Sequence, residues 1–145
     1  MTPRIHTVMA VISSIVVAAV VAWGFVLVGS PVTRRLERFD EQRLEDLRTI
    51  AREIQSMVED RDNAGSLKAP LPKNLEEAAQ RARDERLNPR DPESGIAYTY
   101  TVINSSTYEL CATFSLPRDW DSNVFWNHPA GPHCFRIDVN DPPPY

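Results

Sequence analysis

The sequence predicts an α+β fold with an N-terminal transmembrane helix, an amphipathic stalk helix and a short second helix packed on a small antiparallel sheet of three or more strands. Residues 8–29 carry no charged side chain. As a helix they would reach about 33 Å, enough to cross a hydrocarbon core of about 30 Å. Residues 33–61 repeat apolar side chains every three or four positions, as an amphipathic helix does. Residues 96–114 and 133–139 alternate apolar and polar side chains, the period of a strand.

The length and charge of the chain limit the size and the partners of the region after the apolar segment. Of the 145 residues, about 115 remain, enough for one domain with a modest core. The net charge of -4 argues against nucleic acid as a partner. We divide the chain into an N-terminal tail (1–7), a transmembrane helix (8–29), the stalk helix (33–61), an α+β domain that includes the stalk (62–139) and a proline-rich tail (140–145).

The apolar segment has the features of a retained anchor. A secretory signal peptide has a shorter apolar core that ends in a cleavage site, whereas here Pro31 follows Ser30 and blocks cleavage. A prepilin leader would place a Gly-Phe cut before the apolar segment, but Gly24-Phe25 comes at its far end. We therefore expect a permanent membrane span.

Small residues recur every fourth position of the predicted span and define one helix face, the small-residue ridge. Its members are Ala10, Ser14, Ala18 and Ala22. Ridges of this kind let another helix approach closely in lipid, where packing drives association. Since Ala and Ser are frequent in spans, a chance alignment is the alternative.

Local signals set the expected ends of the two later helices. Pro31 is tolerated in the first turn of the stalk helix, and residues 62–65 have turn chemistry at its end. The arginines of the stalk alternate with acids, which predicts a solvated charged face. Asn74 and Glu77 have the spacing of a capping box that opens a short helix running to about Glu85.

The two cysteines are predicted to form a disulfide. Cys111 and Cys134 each lie opposite the apolar residues of their own strands, so both are on the same face of the sheet. Cross-strand neighbours on one face can be bonded, which would stabilise the fold by roughly 3 kcal/mol. Two unrelated free thiols are the alternative.

The sequence gives two conflicting signals for orientation. A disulfide requires an oxidising compartment, which places the domain in the periplasm. Five arginines follow the span, which by the positive-inside rule places it in the cytoplasm; they are Arg34, Arg35, Arg38, Arg43 and Arg48. We favour the cysteines, because the short N-terminal tail is also positive and the stalk arginines are interleaved with acids. The prediction is a single-pass protein of the inner (cytoplasmic) membrane, with its N-terminus inside and its C-terminal domain periplasmic.

The second half of the chain resembles a known family. The segment DPESGIAYTY supplies Asp91, Pro92, Gly95, Tyr98 and Tyr100, followed by the strand YELCATF. This pattern resembles the C-terminal half of type II secretion major pseudopilins. It also resembles uncharacterised bacterial single-span membrane proteins with a YELCATF strand and a later His-Pro-Ala-Gly-x-x-Cys-Phe, here residues 128–135. The resemblance implies a pilin-like domain, while the prepilin signal is absent.

No residue pattern in the chain predicts catalysis, a cofactor or a metal site. There is no Ser-His-Asp set, phosphate loop or pair of catalytic carboxylates. Imidazole, thiol and carboxylate groups occur near the C-terminus without the ligand spacing of a known zinc or calcium site. They are His128, His133, Cys134, Asp119, Asp121, Asp138 and Asp141.

Three aromatic residues in one loop have two alternative roles. Trp120, Phe125 and Trp126 could fill the core of the domain or contact a protein or membrane surface. The Pro142–Pro144 segment near the C-terminus predicts an extended tail.

These observations favour a non-catalytic accessory or structural subunit of a larger membrane complex. Its expected partners are integral membrane protein subunits, contacted through the span and the periplasmic domain, and the lipid bilayer, without nucleic acid. The alternative is a pseudopilin-like component of a secretion or assembly machine. An extracytoplasmic ligand-binding or thiol-active domain is a more distant alternative.

Overall fold

A computed structural model describes residues 3–28, 30–59, 67–82, 87–119 and 124–144. Its elements are α1 (Pro3–Val28), α2 (Pro31–Val58), α3 (Leu75–Arg81), β1 (Thr99–Val102), β2 (Thr107–Phe114), a short 3-10 helix (Val124–Trp126) and β3 (Gly131–Asp138). The predicted α+β class, with three α-helices and a three-stranded antiparallel sheet, is confirmed. The predicted turn at 62–65 and the predicted boundaries at Gly29 and Glu85 lie outside the described residues.

The chain divides into two compact units, Met1–Arg35 and Leu36–Tyr145. The first contains α1, in which His6–Gly24 has a mean hydropathy of 2.2 and no buried residue. Within the described part of the chain, this is the one helix long and apolar enough to cross a membrane.

Helix α2 begins two residues before the predicted start of the stalk, because Ser30 caps it. The Ser30 hydroxyl accepts a hydrogen bond from Val32 N (3.3 Å), and its carbonyl accepts one from Arg34 N (3.2 Å). Pro31 occupies the first helical position, where its missing N–H costs nothing. The polar cap and the proline together fix the start of the helix.

The core of the second unit forms between α2 and the sheet. One face of α2 contributes fully buried apolar residues at helical spacing; they are Leu44, Leu47, Ile50, Ala51, Ile54 and Val58. The same core contains the alternate residues of β2, which are Tyr108, Leu110, Ala112 and Phe114, together with Phe135 and Ile137 of β3. Leu36, Phe39 and Met57 of the same helix are only half-buried.

Helix α3 is shorter than predicted. Asn74 Oδ1 accepts a hydrogen bond from Glu77 N at 2.8 Å, which is the predicted cap. The return bond differs, because the Glu77 carboxylate accepts from Lys73 N (2.7 Å). Ala82 has extended backbone, so the helix ends before Glu85. Only Leu75 and Ala78 are buried, which gives the helix a small contact with the core.

The sheet has the order β1-β2-β3, with both pairs antiparallel. Asn104 forms the hairpin turn between β1 and β2 by accepting hydrogen bonds from Ser106 N and Thr107 N. The first strand is shorter than predicted, because residues 96–98 hydrogen-bond the segment 89–91. Ile96, the first residue of the alternating segment 96–114, is 70% exposed.

Candidate functional site

A buried polar cluster of the second unit surrounds Arg43. This residue lies on α2, within the face that the charge pattern predicted to be solvated, but it is only 4% exposed. Its Nη1 donates to Asp40 Oδ1 (2.8 Å), and its Nη2 donates to Glu93 Oε2 (2.7 Å). Its Nε donates to Asp91 Oδ2. The expectation of a solvated face is therefore wrong at Arg43 and at Asp40, which is also buried.

The Asp91 carboxylate organises the turn that comes after it. Asp91 Oδ1 accepts hydrogen bonds from Glu93 N (3.0 Å) and Ser94 N (2.7 Å). Gly95 has φ +71, a conformation that side chains disfavour. Burial raises the pKa of Asp91, but the bonds from Arg43, Ser94 and Glu93 outweigh burial and lower the pKa to about 2. The Asp-Pro-x-x-Gly motif is thus a turn held on α2 by Arg43.

Asp40 connects the same arginine to the end of β2. Its carboxylate accepts hydrogen bonds from Ser115 N (2.9 Å) and Leu116 N (2.8 Å). Burial disfavours the charge on Arg43, but its bonds to Asp91, Glu93 and Asp40 raise its pKa above the ordinary value. Each charge is used to bind another segment of the chain, so the cluster serves to join α2, the Asp91 turn and the sheet.

The two tyrosines of the motif also bind the chain itself. Tyr98 Oη donates to Asp46 Oδ2 (2.9 Å), and Tyr100 Oη donates to Pro72 O (3.0 Å). Burial and the Asp46 charge raise the pKa of Tyr98, and burial together with Glu77 raises the pKa of Tyr100 to about 12. Burial also raises the pKa of Asp46. Both phenols stay protonated and act as hydrogen-bond donors.

A sequence signal for the Arg43 cluster exists in the helical periodicity. Arg43 precedes Leu47 by four residues and Ile50 by seven, so it shares their face of α2. An arginine in an apolar face requires buried acidic partners. The identity of those partners could not be read from the sequence, because Asp91 is 48 residues away.

Cys111 and Cys134 are bonded in the structure, in agreement with the expected pairing. Their Sγ atoms are 2.07 Å apart and their Cα atoms 4.0 Å apart, and the two residues are direct partners in the β2–β3 register. Cys134 is exposed and Cys111 is half-buried. The bond lies on the face of the sheet that points away from the core.

The aromatic loop contributes to the core. Trp126 is fully buried, and its ring centroid lies 5.0 Å from that of Phe135. Its Nε1 donates to Pro144 O at 2.8 Å. Of the two alternatives left open for this loop, Trp126 takes the first, since it fills the core and has no exposed surface. Phe125 is partly buried against the same core, and Trp120 lies outside the described residues.

The proline-rich tail lies on the domain. Pro143 is buried, and the bond from Trp126 holds Pro144. The described part of the tail, 140–144, therefore packs against the domain. The contact that holds the tail comes from Trp126 of the aromatic loop, and the composition of the tail alone does not predict it.

The two C-terminal histidines occupy different settings. The buried His128 ring stacks on Phe114 with 3.5 Å between ring centroids, and burial lowers the pKa of His128. The half-buried His133 ring packs against the edge of Phe135. Among residues with described positions, no group of three or more His, Cys, Asp or Glu could hold a metal ion. Asp121 lies outside that set, and the expected absence of a metal stays a prediction.

The small-residue ridge lies along α1. Ala10, Ser14, Ala18 and Ala22 are all exposed. Ser14 Oγ donates to Ala10 O at 2.9 Å, so the hydroxyl is satisfied within the helix and the ridge presents a mainly apolar surface. Trp23 is 68% exposed and lies near the C-terminal end of the apolar window, a position typical of interfacial aromatic anchors.

Comparison with protein-family models, with curated proteins and with solved structures finds no match to this chain. Its own residues are therefore the basis for assigning a function.

Proposed function

We propose that this chain is a non-catalytic, single-span accessory or structural subunit of a larger membrane complex, with a pilin-like domain in the periplasm. The observation that carries this proposal is the contrast between its two units. The apolar window of α1 has no buried residue, whereas the second unit has its own core. An apolar helix of this length is stable only when lipid or other helices cover it.

The small-residue ridge supports association through α1. Ala10, Ala18 and Ala22 present little more than backbone on one side of the helix, while larger residues such as Val17 and Val21 are also exposed. In lipid, helices associate where small residues permit close packing. Integral membrane subunits are therefore the partners we propose for this surface.

The disulfide supports a periplasmic domain, because such bonds persist in oxidising compartments. The positive-inside rule opposes it only if the arginines of α2 count as free positive charges. Arg43 is neutralised by three carboxylates, and Arg52 pairs with Glu45 at 3.0 Å. The local positive charge is smaller than the count of arginines implies, which weakens the signal for a cytoplasmic domain.

The Arg43 cluster supports a non-catalytic domain. Its groups are saturated by one another and by backbone N–H groups of the Asp91 turn and the end of β2. A catalytic acid or base must instead reach a substrate. The clustered charges are thus better suited to holding the fold than to chemistry.

The test compares two variants of α1 that remain fully apolar. Ala18→Leu would overfill the ridge and separate it from a partner helix, whereas Val17→Leu changes another face. The full chain is purified from its native membranes in mild detergent, and co-purifying proteins are quantified. We expect stoichiometric integral membrane subunits with wild type and Val17→Leu, and their loss with Ala18→Leu. Unchanged stoichiometry with Ala18→Leu would contradict recognition through the ridge.

A pseudopilin-like component of a secretion or assembly machine is the second candidate. The observation that favours it is the turn from Asp91 to Gly95, which brings the sequence motif of those proteins onto α2. This candidate predicts pilins or a secretion ATPase among the co-purifying proteins. Recovery of only other integral subunits would argue against it.

A further inference from the structure

The Cys111–Cys134 bond lies on the solvent face of the sheet. The hydrophobic core contains neither cysteine. On the same face lies the Glu109–Arg136 pair, joined at 2.8 Å two register positions away. A shallow groove of about 220 Å³ adjoins Cys111 and is lined in part by exposed Ile96 and by Pro132. A thiol in solution can therefore reach the bond without entering the core.

The contacts around the bond would persist without it. β2 and β3 are paired along eight register positions, and their opposite face is buried against α2. The Arg43 cluster holds the end of β2 through Asp40. Opening the disulfide removes none of these contacts. The strand pairing, the packing on α2 and the Arg43 cluster therefore hold β2 and β3 together without it.

The sheet order makes the two sulfur atoms unequal as targets. A thiolate attacks a disulfide in line with the S–S bond, from the far side of the attacked sulfur. Cys134 is exposed and lies on β3, an edge strand of the described sheet, so no described strand occupies its far side. Cys111 lies on the central strand, and its far side is occupied by its register partner Thr99 of β1. Attack at Cys134 is therefore the less hindered route.

Charge favours the same approach. Arg136 lies two residues from Cys134 on the same face of β3, and its side chain is 68% exposed. Its guanidinium attracts an anionic thiolate toward Cys134, although the nearby Glu109 offsets part of this attraction.

We propose that Cys111–Cys134 is an exchangeable disulfide that an external dithiol opens at Cys134 while the domain stays folded. The thiolate of the dithiol bonds to Cys134 Sγ, the S–S bond breaks, and its electron pair leaves on Cys111 Sγ, which then takes a proton from solvent. The second thiol of the dithiol then attacks the dithiol sulfur that is bonded to Cys134, and Cys134 is released as a thiol. The dithiol loses two electrons and becomes a disulfide, and the two cysteines gain them.

The test uses the oxidised full chain in detergent micelles without denaturant. Glutathione, an anionic monothiol, is added, the reaction is quenched with acid, and the mixed disulfide is mapped by mass spectrometry. We expect the adduct on Cys134 in roughly tenfold excess over Cys111. An adduct mainly on Cys111, or none before denaturant is added, would overturn the proposal.

Retention of the fold is measured on the same protein. Dithiothreitol should expose both thiols to alkylation, while the amides of β2 and β3 keep their protection from hydrogen exchange. Loss of that protection on reduction would contradict the proposal, because the bond would then be required for the fold.

Two variants isolate the route of attack. In Cys111→Ser and Cys134→Ser, each prepared as the mixed disulfide of its remaining cysteine with 2-mercaptoethanol, glutathione should attack the protein sulfur and displace 2-mercaptoethanol several-fold faster at Cys134 than at Cys111. Arg136→Gln should slow the reaction of the wild-type disulfide with glutathione by about threefold and leave its reaction with neutral 2-mercaptoethanol unchanged. Equal rates for the two single-cysteine variants would contradict preferential attack at Cys134.

Discussion

Helices α1 and α2 are nearly equal in length, with 26 and 28 residues, but their surfaces are opposite in character. α1 is apolar on all sides, and its hydrophobic window has no buried residue. α2 is apolar on one face, and that face is buried in the core of the second unit. A helix that is apolar all round requires a nonpolar environment, whereas an amphipathic one requires a single packing surface.

The difference separates the part of the chain that forms the folded core from the part to which the proposed function assigns association. The sheet supplies the cover for α2, so substitutions in α2 should act on the stability of the domain. The described chain supplies no cover for the α1 window, so substitutions there should act on membrane insertion and partners. Two substitutions in α2 and a change of pH test this separation, from the largest expected effect to the smallest.

Arg43→Met should lower the free energy of unfolding of the domain by about 3 to 5 kcal/mol, because it leaves buried carboxylates without a cation. The measurement is urea unfolding of the full chain in detergent, followed by near-UV circular dichroism. Arg52→Met is the control, since the Arg52–Glu45 pair is largely exposed and should contribute under about 1 kcal/mol. Equal effects of the two variants would show that the Arg43 cluster does not hold the fold.

Leu47→Ala should destabilise the domain by about 2 to 5 kcal/mol, because Leu47 is fully buried and its removal leaves a cavity. Gln42→Ala, on the exposed part of the same helix, should change stability by no more than about 0.5 kcal/mol. The same unfolding experiment measures both. A neutral Leu47→Ala would mean that α2 does not cover the sheet.

Acid should remove the contribution of Asp91. Its pKa is 3.8 as an ordinary carboxyl and about 2 in the folded domain, so the folded state favours the ionised form. This contribution is present above pH 4 and is lost as the pH falls from about 4 to about 2, with a total of about 2 kcal/mol. Asp91→Asn should flatten the pH dependence of stability in that window. An identical acid dependence in the variant would exclude Asp91 as its source.

The elements of the second unit were largely predictable, because their signals are local. The alternation of YELCATF predicted which face of β2 is buried. It also predicted that Cys111 and Cys134 share the opposite face, where they are bonded. Asn74 predicted the start of α3 by its own side-chain bond.

The features that the sequence left open or predicted differently depend on contacts between distant parts of the chain. Trp126 is buried because Pro144 accepts its N–H and Phe135 packs against it. Ile96 is exposed because residues 89–91 pair with the backbone around it. Composition and periodicity describe one segment at a time. They therefore could not identify which distant residues contact Trp126 or pair with the backbone around Ile96.

The proposed role of the chain depends on α1 being a retained membrane anchor with a folded domain attached. The most direct test is the intact mass of the protein recovered from native membranes after alkaline carbonate washing. We predict that the protein stays in the membrane pellet with the mass of the full chain, 16.4 kDa, and so retains α1. A shorter protein that lacks residues 3–28 and appears in the carbonate supernatant would identify α1 as a cleaved signal sequence and contradict the proposed anchor.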